Sequence, residues 1–256
     1  MTHEQPLRHW GRVDDATLAR ALIVSPHLDD AVLGCGQLMS AHPGTTVVTV
    51  FTGNPDEYPT PMRLWDEQSG FAPGDDVMEV RRHEDAAALA VLGARPVHLG
   101  YVEHTYLPGD RPVAPEVIAP VLAEAIEDAG PSCVIIPFGL ANPDHDATHR
   151  AAMLVRDRFT DISWFCYEDM GYKHIPGMLA WRVARLFRAG IWPTPALPLT
   201  DGSIATKMRA VRCYPTQLRA LDDDWRITDM LAAPAPEQLW ELNAPPAGWE
   251  SLSEIS

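Results

Sequence analysis

A chain of 256 residues that is 46% hydrophobic and 21% charged has the apolar content of a globular protein with a substantial core, within the size range of one α/β domain. Its formal net charge of −15 argues against nucleic acid or an anionic membrane surface as a partner, though an arginine or two would hold a small anion. No apolar run approaches the roughly 20 residues that span a bilayer, so no membrane insertion is expected; the opening MTHEQPLRHWGRVDD lacks the apolar stretch of a secretory signal, so the expected location is cytoplasmic.

In chain order, the first apolar run is RALIVS (20–25), short and rich in β-branched residues, followed by a helical pattern at 30–42. A second run, TTVVTVFTG (45–53), leads into a long Pro- and Gly-rich stretch, 54–75, in which Trp65 and Phe71 offer packing; an ordered loop forming a wall or lid is expected there. A strong helical pattern at 76–93 ends in Gly93, as a C-cap requires. The runs PVHLGY (96–101), SCVIIPFG (132–139) and ISWFCYE (162–168) alternate with helical patterns at 114–130 and 144–159. The runs are continuous rather than alternating, as in strands buried on both faces. GIWPTPALPLTDG (190–202) reads as a proline-rich connector and 204–221 as a helix cut by Pro215. The expected fold is a single α/β domain over 1–256: a Rossmann-like, mostly parallel sheet with helices on both faces, a core at about 20–220, and 221–256 wrapping the surface as an irregular extension. Cys35, Cys133, Cys166 and Cys213 form no CxxC pair, so they read as reduced thiols rather than a zinc knot.

Ligands of such sheets sit outside the carboxyl ends of the strands. His27, Asp29 and Asp30 follow the first run, Glu103 and His104 the third, Asn142, Asp144 and His145 the fourth, and Glu168 and Asp169 the fifth. Two adjacent carboxylates repel each other, and a divalent metal ion on one of them offsets that cost. Imidazole and carboxylate together suit zinc or another first-row divalent ion. His27 and Asp30, joined by His145 from the distant turn, make three protein ligands and leave one position for water; Asp29 remains free as a base for that water. Taken separately, HLDDAVLG and NPDHDATHR also read as capped helix starts carrying surface histidines.

SPHLDDAVLGCG (25–36) resembles the first motif of the PIG-L (LmbE-like) deacetylase family, a Pro-His-x-Asp-Asp run after the first strand. NPDH (142–145) is similar to its second motif, His-x-Asp-His, and RRHEDAAALAVLGA (81–94) to its Arg-x-x-Glu helix. YEDMGY (167–172) and KMRAVRCYPTQ (207–217) resemble weaker features, so the likeness covers about 20–220. The resemblance implies a zinc-dependent hydrolase that removes an acyl group, usually acetyl, from an amino sugar. It implies His27, Asp30 and His145 as metal ligands, Asp29 as general base, Arg81 and Glu103 as substrate contacts, and Asp144 as an orienting carboxylate.

Asn142 stands where the family motif begins with histidine. An amide donates a hydrogen bond to an oxyanion but delivers no proton. Either Asp29 returns its proton to the leaving amine, or a nearby histidine substitutes, with His149 and His104 as candidates; as a bland alternative His149 is a surface residue. Arg81 and Arg82 also read as a solvated helix face paired with Glu84 or Asp85. The expected activity is Zn2+-dependent removal of an acyl group, acetyl first, from an N-acyl amino sugar, a small-molecule substrate. The alternatives are an amidase of a larger conjugate on the same metal site, and a catalytically altered metal-binding protein. The sequence leaves oligomeric state and the sugar open.

Overall fold

Buried peptide groups need hydrogen-bond partners, and in this chain one eight-stranded sheet supplies most of them at the core. The computed structural model describes residues 11–232 and 237–245; residues 1–10, on which most of the signal-peptide argument rests, lie outside the described residues. In chain order the elements are β1 (Arg12–Val13), α1 (Asp15–Leu18), β2 (Ala21–Ser25), α2 (Asp30–Ala41), β3 (Thr46–Phe51), α3 (Leu64–Ser69), α4 (Val77–Leu92), β4 (Arg95–Tyr101), α5 (Pro115–Ala129), β5 (Cys133–Pro137), α6 (Pro143–Arg156), β6 (Ser163–Tyr167), α7 (Met178–Arg188), β7 (Trp192–Pro198), α8 (Ile204–Val211), α9 (Pro215–Trp225), α10 (Ile227–Ala232) and β8 (Leu239–Asn243).

The strand order is β1-β7-β8-β6-β5-β2-β3-β4. Every pairing is parallel except those of β8, which runs antiparallel to both β6 and β7. β2, β3 and β5 are buried at every residue, as their continuous apolar runs require. Alternate side chains then feed two cores. Ile23 packs with residues of α2, α4 and α8 on one face, while Leu22 and Val24 pack with α5 and α6 on the other. The fold is thus the single α/β domain expected, with helices on both faces. β4 departs from the both-faces pattern: it closes one edge of the sheet, and Arg95 to His98 are exposed.

Two expectations for the C-terminal third are corrected. Residues 192–198 form a strand, β7, rather than a connector. Its prolines are compatible because of where they fall. Leu197 and Leu199 donate N–H groups to Gly11 and Val13 on the β1 side, and Pro193 and Pro195, which share that parity, lie beyond the two residues of β1. The segment 239–243 does not wrap the surface but inserts as β8 between β6 and β7. The break at Pro215 holds: it is the first residue of α9.

β2 pairs with β3 on one side and β5 on the other, so chain order reverses between β2 and β5. The turns leaving these two strands diverge from a shared crevice, the usual ligand position in open α/β sheets. α2 begins in that crevice and breaks at Cys35 (φ −132°, ψ 17°). The break is held by a charged clasp. Glu237 accepts N–H groups of Gln37 (2.8 Å) and Leu38 (2.9 Å), and Lys207 Nζ donates to Leu33 O (2.6 Å) and to Glu237 (2.7 Å). Both side chains are at least nine-tenths buried. Removing one partner of a buried pair strands the other. Glu237→Ala is expected to lower the unfolding free energy by about 2–4 kcal/mol in urea titration, whereas Glu241→Ala serves as the mild control; equal midpoints for the two variants would show that the clasp does not stabilise the break.

Candidate metal centre and active site

The first turn places three functional side chains within four residues. Ser25 Oγ donates to His27 O (2.7 Å) and accepts Ala31 N–H (3.0 Å), and Asp30 Oδ2 accepts the N–H of His27 (2.9 Å). These bonds fold the chain back at the end of β2. Asp29 occupies the N-cap position of α2 but makes no side-chain cap bond, so the simple capping reading of this turn fails. Its carboxylate forms no hydrogen bond among the described residues and lines a cavity of about 310 Å³.

The second turn follows β5. Gly139 has φ +74°, and a Cβ there would sit 2.6 Å from His149 Cβ and 2.9 Å from His145 O, so the turn admits only glycine without displacement. Asn142 then caps α6, its Oδ1 accepting the N–H of Asp144 (2.8 Å). This cap directs Asp144 and His145 inward at the start of the helix, where both are buried.

The two turns meet. The rings of His27 and His145 lie 5.1 Å apart between centroids. One oxygen, Asp30 Oδ2, stands 3.3 Å from His27 Nδ1 and 3.1 Å from His145 Nε2. One potential ligand atom from each of His27, Asp30 and His145 lies within 4.8 Å of the others, which fits a divalent ion held at three corners. The far nitrogens are anchored: His27 Nε2 on Asp144 (3.1 Å) and His145 Nδ1 on Asp169 (2.5 Å). Carboxylates behind imidazoles fix the tautomer and free the opposite nitrogen for a metal. This donor set and its support fit a catalytic rather than a structural divalent site.

Charge distribution follows from burial. For Asp29, desolvation first and the neighbouring Asp30 second push the pKa up to about 8, against the partial pull of His27, His145 and Arg81. For Asp30, burial opposes ionisation, but the two imidazoles overcome it and hold the group below the usual carboxylate range. Burial likewise opposes charge on His145, yet Asp30 and Asp169 raise it to about 9. Asp144 is fully buried and still ionised more readily than a free carboxyl, because hydrogen bonds from His104 and His27 outweigh its desolvation.

The remaining expected residues divide. Arg81 and Glu103 line the cavity, but Arg81 is not a solvated helix residue paired with Asp85; it is buried, with Nη2 on Asp66 (2.9 Å) and Nη1 3.5 Å from Glu103. His104 lines the cavity and donates both its backbone N–H (3.0 Å) and Nδ1–H (2.9 Å) to Asp144. His149, a candidate to replace the missing motif histidine at the substrate, does not reach it, nor is it a surface residue. It is a buried residue of α6 that faces the end of β5, donating Nδ1–H to Pro137 O (2.9 Å), and it lines no part of the cavity. Its position four residues after His145 keeps it on a related helix face, where the Gly139 backbone packs against it. The stretch 54–75 does supply a wall: α3 brings Trp65 and Asp66 to the cavity. Sequence reasoning missed the roles of Asp66, Asp169, Tyr172 and Trp225. Only Asp169, at a strand end beside the other polar groups, carried a signal. Tyr172 packs edge-on against His145 (5.2 Å) and Trp225 (5.8 Å), making an aromatic side to the site.

A three-residue donor set beside an unpaired buried carboxylate, at the switch point of a Rossmann-like sheet, defines a metal-dependent hydrolase class. Residues 22–155 match the family described as PIG-L, GlcNAc-PI de-N-acetylase, and the chain belongs to that family. A curated relative, 2'-N-acetylparomamine deacetylase of Streptomyces fradiae, is 29% identical over 215 residues, 77% of this chain and 73% of its own length. Among solved structures, the A40926 pseudoaglycone deacetylase Dbv21 is 27% identical with a TM-score of 0.70, over 88% of this chain and 98% of its own. A deacetylase triple mutant of the teicoplanin biosynthetic pathway is 25% identical with a TM-score of 0.73, over 89% and 99%.

Burial, then the charge of Arg182, depress His149 to about 4. An unfolded histidine titrates near 6.5, so between about 6.5 and 4 the unfolded chain binds more protons and acid weakens the fold. The contribution is complete above that window and absent below it. The parent chain is expected to lose roughly 3 kcal/mol more than His149→Leu across the window, measured by urea unfolding at a series of pH values; parallel curves would contradict the buried neutral assignment.

Proposed function

We propose that the chain is a zinc-dependent N-deacetylase that hydrolyses the acetamide of an amino sugar within a larger small-molecule glycoside. The observation that carries the reading is Asp29, a buried carboxylate with no hydrogen bond among the described residues, beside the His27, Asp30 and His145 cluster in one cavity. The mixed imidazole and carboxylate donors favour zinc over magnesium or calcium. His27, Asp30 and His145 would hold the ion, which would supply Lewis acidity and make a water easier to deprotonate.

The chain's own groups do the rest. Asp29 takes a proton from the attacking water, a task suited to a group whose surroundings hold its proton affinity near neutrality. Asn142 lines the cavity and caps α6 through Oδ1, which leaves its amide N–H groups for the substrate side, where they also meet Tyr172. Arg81, clamped by Asp66 and neighboured by Glu103, presents a fixed polar edge for sugar hydroxyls. Trp65 and Trp225 line the same cavity and offer apolar faces to a sugar ring. The relatives named above are deacetylases of 2'-N-acetylparomamine, of the A40926 pseudoaglycone and of the teicoplanin biosynthetic pathway, which supports an N-acetylated amino sugar on a larger small molecule.

The test is acetate release from 2'-N-acetylparomamine and from N-acetylglucosamine by the zinc-loaded chain. Chelation is expected to abolish turnover, and added zinc to restore it. Asp29→Asn is expected to keep about one zinc per chain while kcat falls by about 10²–10⁴-fold. Turnover by Asp29→Asn at the parent rate removes the base assignment, and chelator-resistant acetate release removes the metal.

A further inference from the structure

We propose that His104, on the turn after β4, supplies the catalytic imidazole that the second motif lacks, acting at the leaving nitrogen while Asn142 serves as a cap and hydrogen-bond donor. The proposal rests on the deacetylase reading and concerns the step that reading leaves open, the source of the amine's proton. Asn142 cannot deliver one, and its Oδ1 is committed to the N–H of Asp144. His149, on α6, turns its ring to Pro137 O and lines no part of the cavity. His104 shares the cavity wall with Asp29, Asn142 and His145.

Its orientation is imposed. Asp144 Oδ2 accepts the backbone N–H of His104 (3.0 Å) and its Nδ1–H (2.9 Å), and the same oxygen anchors His27 Nε2 (3.1 Å). With Nδ1 engaged, Nε2 is the nitrogen left to a cavity ligand, and it has no hydrogen-bond partner among the described residues. The side chain is only 14% exposed. A buried carboxylate behind Nδ1 fixes the orientation of an imidazole and leaves Nε2 presented for proton transfer. One carboxylate, Asp144, therefore aligns both a metal-side imidazole and a substrate-side imidazole.

The proton balance closes without a further reactant. Water gives one proton to Asp29 as its oxygen bonds to the acyl carbon. The C–N bond breaks, its electron pair goes to nitrogen, and nitrogen takes the Nε2 proton of the His104 imidazolium. The acid product then passes its proton to the free amine, Asp29 loses its proton to solvent, and His104 takes one back.

The variant His104→Gln is expected to lower kcat by about 10²–10³-fold on the substrates named above, with KM and zinc content close to the parent's and the alkaline limb of the kcat pH profile lost. Adding Asn142→His to that variant is expected to recover about tenfold or more of the lost kcat and to restore the limb. As a measurement independent of any variant, the Nε2 resonance of His104 in the zinc-loaded parent is expected to shift when acetate is added, while that of His149 stays still. Parent-like kcat and pH profile in His104→Gln overturn the proposal, as does a fall in kcat with both limbs retained, which reduces His104 to support for Asp144; an unmoved His104 resonance overturns it too. In those outcomes the deacetylase reading stands, because Asp29 and zinc dependence are assayed separately. Absence of acetate release by the parent overturns that reading and the role of His104 with it.

Discussion

Two imidazoles from separate strand ends converge on a single oxygen, Asp30 Oδ2, and most of what is unusual in this chain serves that convergence. Imidazoles and a carboxylate left at such distances without an ion must share protons, and the local pKa pattern records it: Asp30 is held ionised, while His27 and His145 are raised despite burial that works against their charge. A divalent cation satisfies the same arrangement with fewer protons. The outer carboxylates matter as much as the inner set. Asp144 and Asp169 each hold the far side of one imidazole, so the orientation of the donors is set before any ion arrives.

The sheet makes this economical in residues. Chain reversal at β2 places the turns after β2 and β5 beside one crevice, and the segments after β2, β4, β5 and β6 contribute polar groups there: His27 to Asp30, His104, Asn142 to His145, and Asp169. The cavity walls come from segments without such regularity. α3 brings Trp65 and Asp66, and α9 brings Gln217 and Trp225. A rigid floor of strand ends carrying the chemistry, with walls from variable segments, is how one fold serves many substrates. The clasp between Glu237 and the broken α2 ties the segment leading into β8 to the helix that opens with Asp30.

Much of this was legible in the sequence, and the exceptions have physical reasons. The four buried strands β2, β3, β5 and β6 were legible because burial on both faces demands continuous β-branched runs. The cluster of His27, Asp30 and His145 was legible because residues so polar at strand-to-helix junctions imply a shared ligand, and the structure brings one potential ligand atom of each within 4.8 Å of the others. β7 was hidden by its prolines, of which Pro193 and Pro195 place their missing N–H groups on a nearly vacant side, a register that only pairing reveals. β8 was hidden because a five-residue strand between two others has no pattern of its own. His149 misled because helical spacing from His145 says nothing about which side of the sheet lies beneath it. His104 and His149 are indistinguishable as letters; burial keeps the latter neutral against the pull of the Pro137 carbonyl, and the former lines the cavity with Nδ1 held on Asp144.

The most direct test of the central claim is X-ray absorption at the zinc edge of the chain loaded with one equivalent of zinc. The account predicts two imidazole nitrogens at about 2.0–2.1 Å and a carboxylate oxygen at about 2.0–2.2 Å, with one imidazole lost from the shell in His145→Ala. A shell of oxygens alone, or one that His145→Ala leaves unchanged, would contradict it.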